Sequence, residues 1–190
     1  MAAFPALNLK MHPAQATSPV QSLRVSGVVS AARRMTVDYE LQGDMRSIQL
    51  PPPAARPQRC DSLWQHTCFE LFVGRVAEPA YLEFNFSPSG DWAAYSFRDY
   101  RTGGSALAMQ DIGTTIIEQS AERLLLRAHA DLSPLCRTWP FEIVRMNVAA
   151  VITAADMPTT HWAAFHPRVQ PDFHDRSGFR VTFDAAFPCE

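Results

Sequence analysis

Along most of this chain apolar and polar residues take turns, one position at a time. From Met35 to Gln42 the side chains Met35, Val37, Tyr39 and Leu41 alternate with Thr36, Asp38, Glu40 and Gln42. That period of two marks an antiparallel strand with one face in a core and the other in water. A second strand is predicted before it, from Val20 to Val29, with the connection near Ala31–Arg34. No segment keeps a sustained 3.6-residue stripe, so little helix is expected.

The densest patterning lies between Leu63 and Phe97, and it predicts three strands in two hairpins: Leu63 to Val73, Tyr81 to Phe86, and Trp92 to Phe97. The turn Ser87–Pro88–Ser89–Gly90–Asp91 separates the last two, with Gly90 supplying a positive φ. Side chains alternate faces along a strand, so parity sorts this stretch. Thr67, Phe69, Leu71 and Val73 share a face with Leu82, Phe84 and Phe86, the expected core side. The opposite side carries His66, Cys68, Glu70 and Phe72, then Tyr81, Glu83 and Asn85. Carboxylates, an amide, an imidazole and aromatics on one sheet face make a candidate binding surface.

The remaining elements follow the same logic. Leu7 to Met11 reads as a short edge strand in an otherwise irregular N-terminal segment, residues 1–19. Met45 to Leu50 reads as a strand stopped by Pro51–Pro53, because proline cannot donate to a ladder. Residues 54–62 and 98–113 read as loops. Thr114 to Gln119 and Leu124 to Ala130 form a hairpin, and Asp131 to Leu135 a helical turn with Ser133 as its cap. Phe141 to Thr153, apolar on both faces near its end, is a central strand; His161 to Phe165 and Phe179 to Phe183 complete the set. Strand after strand with short turns predicts one all-β domain over residues 1–190, an antiparallel β-sandwich or jelly roll.

Composition narrows the function. Hydrophobic residues at 47% and charged residues at 19% describe a globular protein with one sizeable core in 190 residues. A net charge of -2 and no run of Lys or Arg leave no electrostatic footprint for nucleic acid. No apolar segment approaches the ~20 residues that span a bilayer, so no membrane partner is expected. The first thirteen residues lack a cationic start and an apolar stretch, so no secretory signal is read and a cytoplasmic location is expected. Cys60, Cys68, Cys136 and Cys189 contain no CxxC pair and are expected as free thiols. There is no GxSxG elbow, phosphate-binding glycine loop or dinucleotide fingerprint.

The blocks LWQHTCFELF, YLEFNFSPSGDWAAYSF and HWAAFHPRVQPDFHDRSGF resemble the signature blocks of bacterial DOMON-like proteins. That family is similar to the family 9 carbohydrate-binding modules and to sugar- or haem-binding DOMON domains. The resemblance spans about Val20 to Phe183 and implies a β-sandwich that binds a ligand without converting it. Haem-binding members use a Met and a His as axial ligands, and no pair here is matched to them.

The candidate ligand-binding residues are Trp64, His66, Glu70, Tyr81, Glu83, Asn85, Trp92, His161 and Trp162. Carboxylates accept hydrogen bonds from sugar hydroxyls while aromatic rings stack on the sugar's C–H face, so a small polar ligand, a carbohydrate first, is expected. The competing reading of Glu70 and Glu83 has them in solvent or paired with Arg98 or Arg101. An enzymatic alternative makes these two a glycosidase-type carboxylate pair; a third reading binds haem. Otherwise no cofactor is expected. His161, His166 and His174 are spaced by five and eight residues, which matches no standard zinc motif, so no metal site is expected. The pattern leaves the oligomeric state open.

Overall fold

In the computed structural model, which describes residues 2–135 and 143–184, the alternation becomes strand almost throughout. Twelve strands follow in order: β1 (Ala2–Met11), β2 (Val20–Val29), β3 (Arg34–Gly43), β4 (Cys68–Arg75), β5 (Tyr81–Phe86), β6 (Trp92–Phe97), β7 (Ser105–Ala106), β8 (Ile112–Gln119), β9 (Arg123–Asp131), β10 (Ile143–Ile152), β11 (Thr160–Ala163) and β12 (Val181–Asp184). The helical content of the described residues is a few 3-10 turns.

The strands form one antiparallel path, β7-β6-β5-β4-β10-β11-β1-β2-β3-β9-β8. One edge of β10 is shared: β12 pairs with Ile143–Met146 and β11 with Ala149–Ile152. β1 joins the two halves. It pairs with β2 from Ala2 to Leu9 but meets β11 only at Lys10 and Met11. Its ladder shifts register between Phe4 and Leu7, the stretch holding Pro5, which has no N–H to contribute.

Around that narrow join the sheet curls into a half-barrel, so the inward faces of its two halves share one core. Val25, Val37, Tyr39, Leu41, Leu124 and Leu126 of one half pack with Phe69, Leu71, Leu82, Phe84, Phe86 and Val148 of the other. The Tyr39 ring lies 4.9 Å from that of Phe69, and its hydroxyl donates to the Glu70 carbonyl at 3.2 Å. On the outer face of β3, Asp38 and Glu40 take Arg127 and Arg123 of β9 as ion-pair partners, the half-exposed arrangement that the alternation required.

The structure corrects several sequence expectations. The N-terminal segment is not irregular with a short edge strand; β1 is a full strand between two neighbours. Met45–Ser47 is a 3-10 turn, not part of a strand, because Asp44 caps it, accepting from the Arg46 amide and the Ser47 hydroxyl. The strand expected from Leu63 starts at Cys68; Leu63–Gln65 is a 3-10 turn preceded by Ser62 at φ 62°. The loop after Phe97 contains the short strand β7. The all-β, antiparallel class is as expected, and the sheet is a curled half-barrel. Cys60 and Cys68 are free; Cys136 and Cys189 lie outside the described residues, as does the start of the strand expected from Phe141.

Candidate ligand-binding site

Register places the chemistry. Glu70 on β4 stands opposite Asn85 on β5 and Ala149 on β10, while Glu83 stands between Phe72 and Tyr95. These residues share the sheet face that points away from the main core. That face is not open water, however. β4 and β5 are buried on both sides, because residues 165–180 fold back across the outer face. Phe173 and Phe179 from that loop pack on Phe72, Tyr81, Val151 and Ala163 as a second, smaller apolar cluster.

Polar ties hold the loop there. Arg176 lays its guanidinium against Gly74, where a Cβ would collide with Nη1, and over the Phe179 ring at 4.7 Å. Its Nη2 donates to the carbonyls of Arg75 (2.5 Å) and Glu78 (2.9 Å). Asp175 accepts from Arg168 and from the Ser177 amide and hydroxyl. The ring nitrogens of His12 and His166 meet the carbonyls of Arg168 and Lys10, fastening the loop to β1.

Between loop and sheet lies a cavity of about 460 Å³. Glu70 and Glu83 line it, and Tyr95 and Phe97 of β6, with Phe173 of the loop, supply aromatic wall. Trp64, 54% exposed, lines it from the 3-10 turn. Arg101, Asp172, His161 and His174 complete its polar lining.

Glu70 and Glu83 are 3% and 5% exposed. Burial, and then the charge of Glu83, push the Glu70 carboxyl well above the ordinary carboxylate range. Burial also raises Glu83, against the pull of a 2.6 Å hydrogen bond donated by the Asn85 amide. Glu70 Oε1 is buried with no hydrogen-bond partner among the described residues. Neither carboxyl is paired with Arg98 or Arg101; Arg101 instead bridges to Asp172 at 3.2 Å. The cationic candidate nearest Glu83 is His174 Nε2, 3.8 Å from Oε2.

His174 is not a cation at neutral pH. Burial, and then Arg101, lower its pKa to about 4. Its Nδ1 lies 2.8 Å from the Tyr81 hydroxyl, which accepts from the Arg101 amide at 3.2 Å. In the tautomer that completes this chain, Tyr81 donates to Nδ1 and the imidazole proton sits on Nε2, facing Glu83. Burial, eased by the Arg101 amide, raises the Tyr81 pKa to about 12, so the phenol keeps its proton.

The structure therefore divides the sequence candidates. Trp64, Glu70, Glu83 and His161 line the cavity, and Tyr81 and Asn85 support it from the same face. His66 is exposed at the end of the 3-10 turn, ahead of the strand, where parity no longer applies. Trp92 pairs with Phe86 across the hairpin and so packs against the main core. Trp162 is buried in that core, its indole N–H donating to Thr160 at 3.1 Å. Tyr95 and Phe97 were legible from the same parity, since Glu83 stands opposite Tyr95. Arg101, Asp172, Phe173 and His174 come from distant loops, and no local pattern marks them as site residues. The haem reading gains nothing from this lining, which includes histidines but no methionine. Met35, Met45, Met109 and Met146 all belong to the main core.

No protein-family model matches the chain, and no curated protein matches it. Among solved structures, a Bacteroides uniformis protein described as a "putative carbohydrate-binding protein" has a similar fold, with a TM-score of 0.61 over 93% of this chain and 84% of that one. At 13% identity the similarity is one of fold.

Proposed function

We propose that this protein is a non-catalytic binding module that holds a small polar ligand, a carbohydrate first, in the cavity between the outer sheet face and residues 165–180. One observation carries the reading: two buried carboxyl groups lie among aromatic rings in a cavity of about 460 Å³. That volume is in the range of small-molecule sites, and aromatic and ionisable side chains share the lining. Burying carboxyls costs several kcal/mol unless something repays it, and the fold supplies no full partner for Glu70. Ligand hydroxyls would do so, while Trp64 and Tyr95 supply aromatic surface beside them. The sugar-binding DOMON-like resemblance and the description of the Bacteroides fold relative are consistent with this ligand class, and the half-barrel is then a variant of the implied sandwich.

The test is calorimetry and thermal melting of the parent and Glu83→Gln against a panel of mono- and disaccharides. A sugar should bind and stabilise the parent, whereas Glu83→Gln should melt no lower than the parent and bind ten- to a hundredfold more weakly, the loss of a charge-assisted bond of ~1.5–3 kcal/mol. A large fall in melting temperature, with no sugar shifting either protein, would overturn the proposal.

A further inference from the structure

The charges around the cavity are unbalanced in one direction. Glu70 and Glu83 are nearly fully buried on neighbouring strands, the charge of Glu83 adds to the ionisation cost of Glu70, and Glu70 Oε1 has no partner among the described residues. The cation of the lining, Arg101, is half exposed and turned to Asp172 at 3.2 Å. His174 stands 3.8 Å from Glu83 with its other ring nitrogen on Tyr81, so it contributes a dipole and no charge. Around this acidic pair stand the rings of Tyr95, Phe97 and Phe173, whose faces attract cations. A neutral hydroxyl would satisfy one acceptor and leave the repulsion between the carboxyls in place. A cation within reach of both would remove it.

We infer that the ligand carries a protonated primary amine, an amino sugar rather than a neutral one, whose ammonium group sits between Glu70 and Glu83. The inference rests on the binding reading above and specifies the ligand it takes. An ammonium has three N–H donors and no acceptor, which suits a site with an orphaned Oε1 on Glu70 and a second carboxylate on Glu83. Charge-assisted bonds of this kind are about twice as strong as neutral ones.

The test uses matched pairs that differ only by hydroxyl against ammonium: glucose and glucosamine, galactose and galactosamine, mannose and mannosamine, with cyclohexanol and cyclohexylamine as the pair that is not a sugar. Calorimetry of the whole chain at pH 7 should show at least one hexosamine binding tenfold or more tighter than its parent hexose. Glu70→Gln should remove that preference while still binding the hexose. Equal affinity within every sugar pair would overturn the amine inference and leave the sugar reading standing. Cyclohexylamine binding as tightly as any hexosamine, with no hexose bound, would keep the amine and overturn the sugar. No binding in any pair overturns both. Should Glu70→Gln fail to fold, Glu83→Gln reads the same preference, and its persistence there counts against the inference.

Discussion

The two faces of the β4–β5 hairpin are equally buried and differently built. One carries Phe69, Leu71, Val73, Leu82, Phe84 and Phe86, covered by the other half of the curled sheet. The other carries Glu70, Phe72, Tyr81, Glu83 and Asn85, covered by a loop without regular strand. The first face follows every rule of a core, with apolar atoms at close packing and no polar group to satisfy. The second breaks one rule, placing carboxyls where they must be raised in pKa or supplied with a partner. A fold that already has a complete core gains no stability from that arrangement, and the exception falls on the face where the proposed ligand site lies.

The sharpest way to separate the faces is to truncate the first. Phe84 is fully buried in the main core, and Phe84→Ala should cost ~3–5 kcal/mol through lost transfer energy and a cavity. Urea denaturation measures it. Ligand affinity per folded molecule should not change, because Phe84 points away from the cavity; a change in affinity would mean that the faces are coupled.

Acid should loosen the second face next. The His174 pKa of about 4 in the fold lies below the ~6.5 of the unfolded chain. The unfolded state therefore takes up the proton first as pH falls. The stabilisation from keeping this imidazole neutral is complete above ~6.5 and lost on the way down to about 4, a difference of about 3 kcal/mol. The carboxyls of Glu70 and Glu83 act with the opposite sign, since raised pKa values favour the fold at low pH. Comparing urea midpoints of the parent and His174→Gln at pH 7.5 and pH 4 isolates the histidine: the parent should lose about 3 kcal/mol more. Parallel losses would refute the assignment.

Replacing a site carboxyl should have a smaller effect and the reverse sign. Glu70→Gln keeps the shape and removes the ionisable group, so it should stabilise the fold by about 0.5–2 kcal/mol, as relief of functional strain commonly does. The gain should be larger at pH 8 than at pH 5, because a raised carboxyl weakens the fold as pH rises through its folded pKa. Melting curves at the two pH values decide it. Destabilisation at pH 8 would show that Glu70 is a structural group, and the contrast between the faces would fail.

How far the sequence reached follows from the range of the forces involved. Alternation is local, so β2, β3, β5 and β6 were legible almost to the residue, and so was the sorting of Glu70 and Glu83 away from the core. Gly90, at φ 97°, takes the positive φ that its turn requires. The cover over the second face depends on Arg176 reaching the Arg75 carbonyl, 101 residues away, a pairing that no periodicity encodes. The places of Arg101 and His174 in the cavity depend on contacts of the same long range. Trp92 and Trp162 lie away from the cavity for a simpler reason. Aromatic character does not fix a face, whereas the hairpin register from Phe86 to Trp92 does.

Trp64 should give the smallest effect on stability, because it lies on neither face of the hairpin. It is 54% exposed, on the 3-10 turn Leu63–Gln65 beside the cavity, and it belongs to neither apolar cluster. Trp64→Ala should therefore change stability by no more than ~0.5 kcal/mol, the usual range for surface substitutions. If the indole closes over a sugar ring, its removal forfeits ~0.5–1.5 kcal/mol of aromatic contact beyond simple burial, roughly a two- to tenfold loss of affinity. Trp64→Phe should recover part of that loss, because a smaller ring still offers a stacking face. Calorimetry beside thermal melting separates the outcomes. An unchanged melt with weaker binding places Trp64 on the ligand, whereas an unchanged melt with unchanged binding leaves it a solvent-exposed ring and moves the aromatic contact to Tyr95 and Phe97.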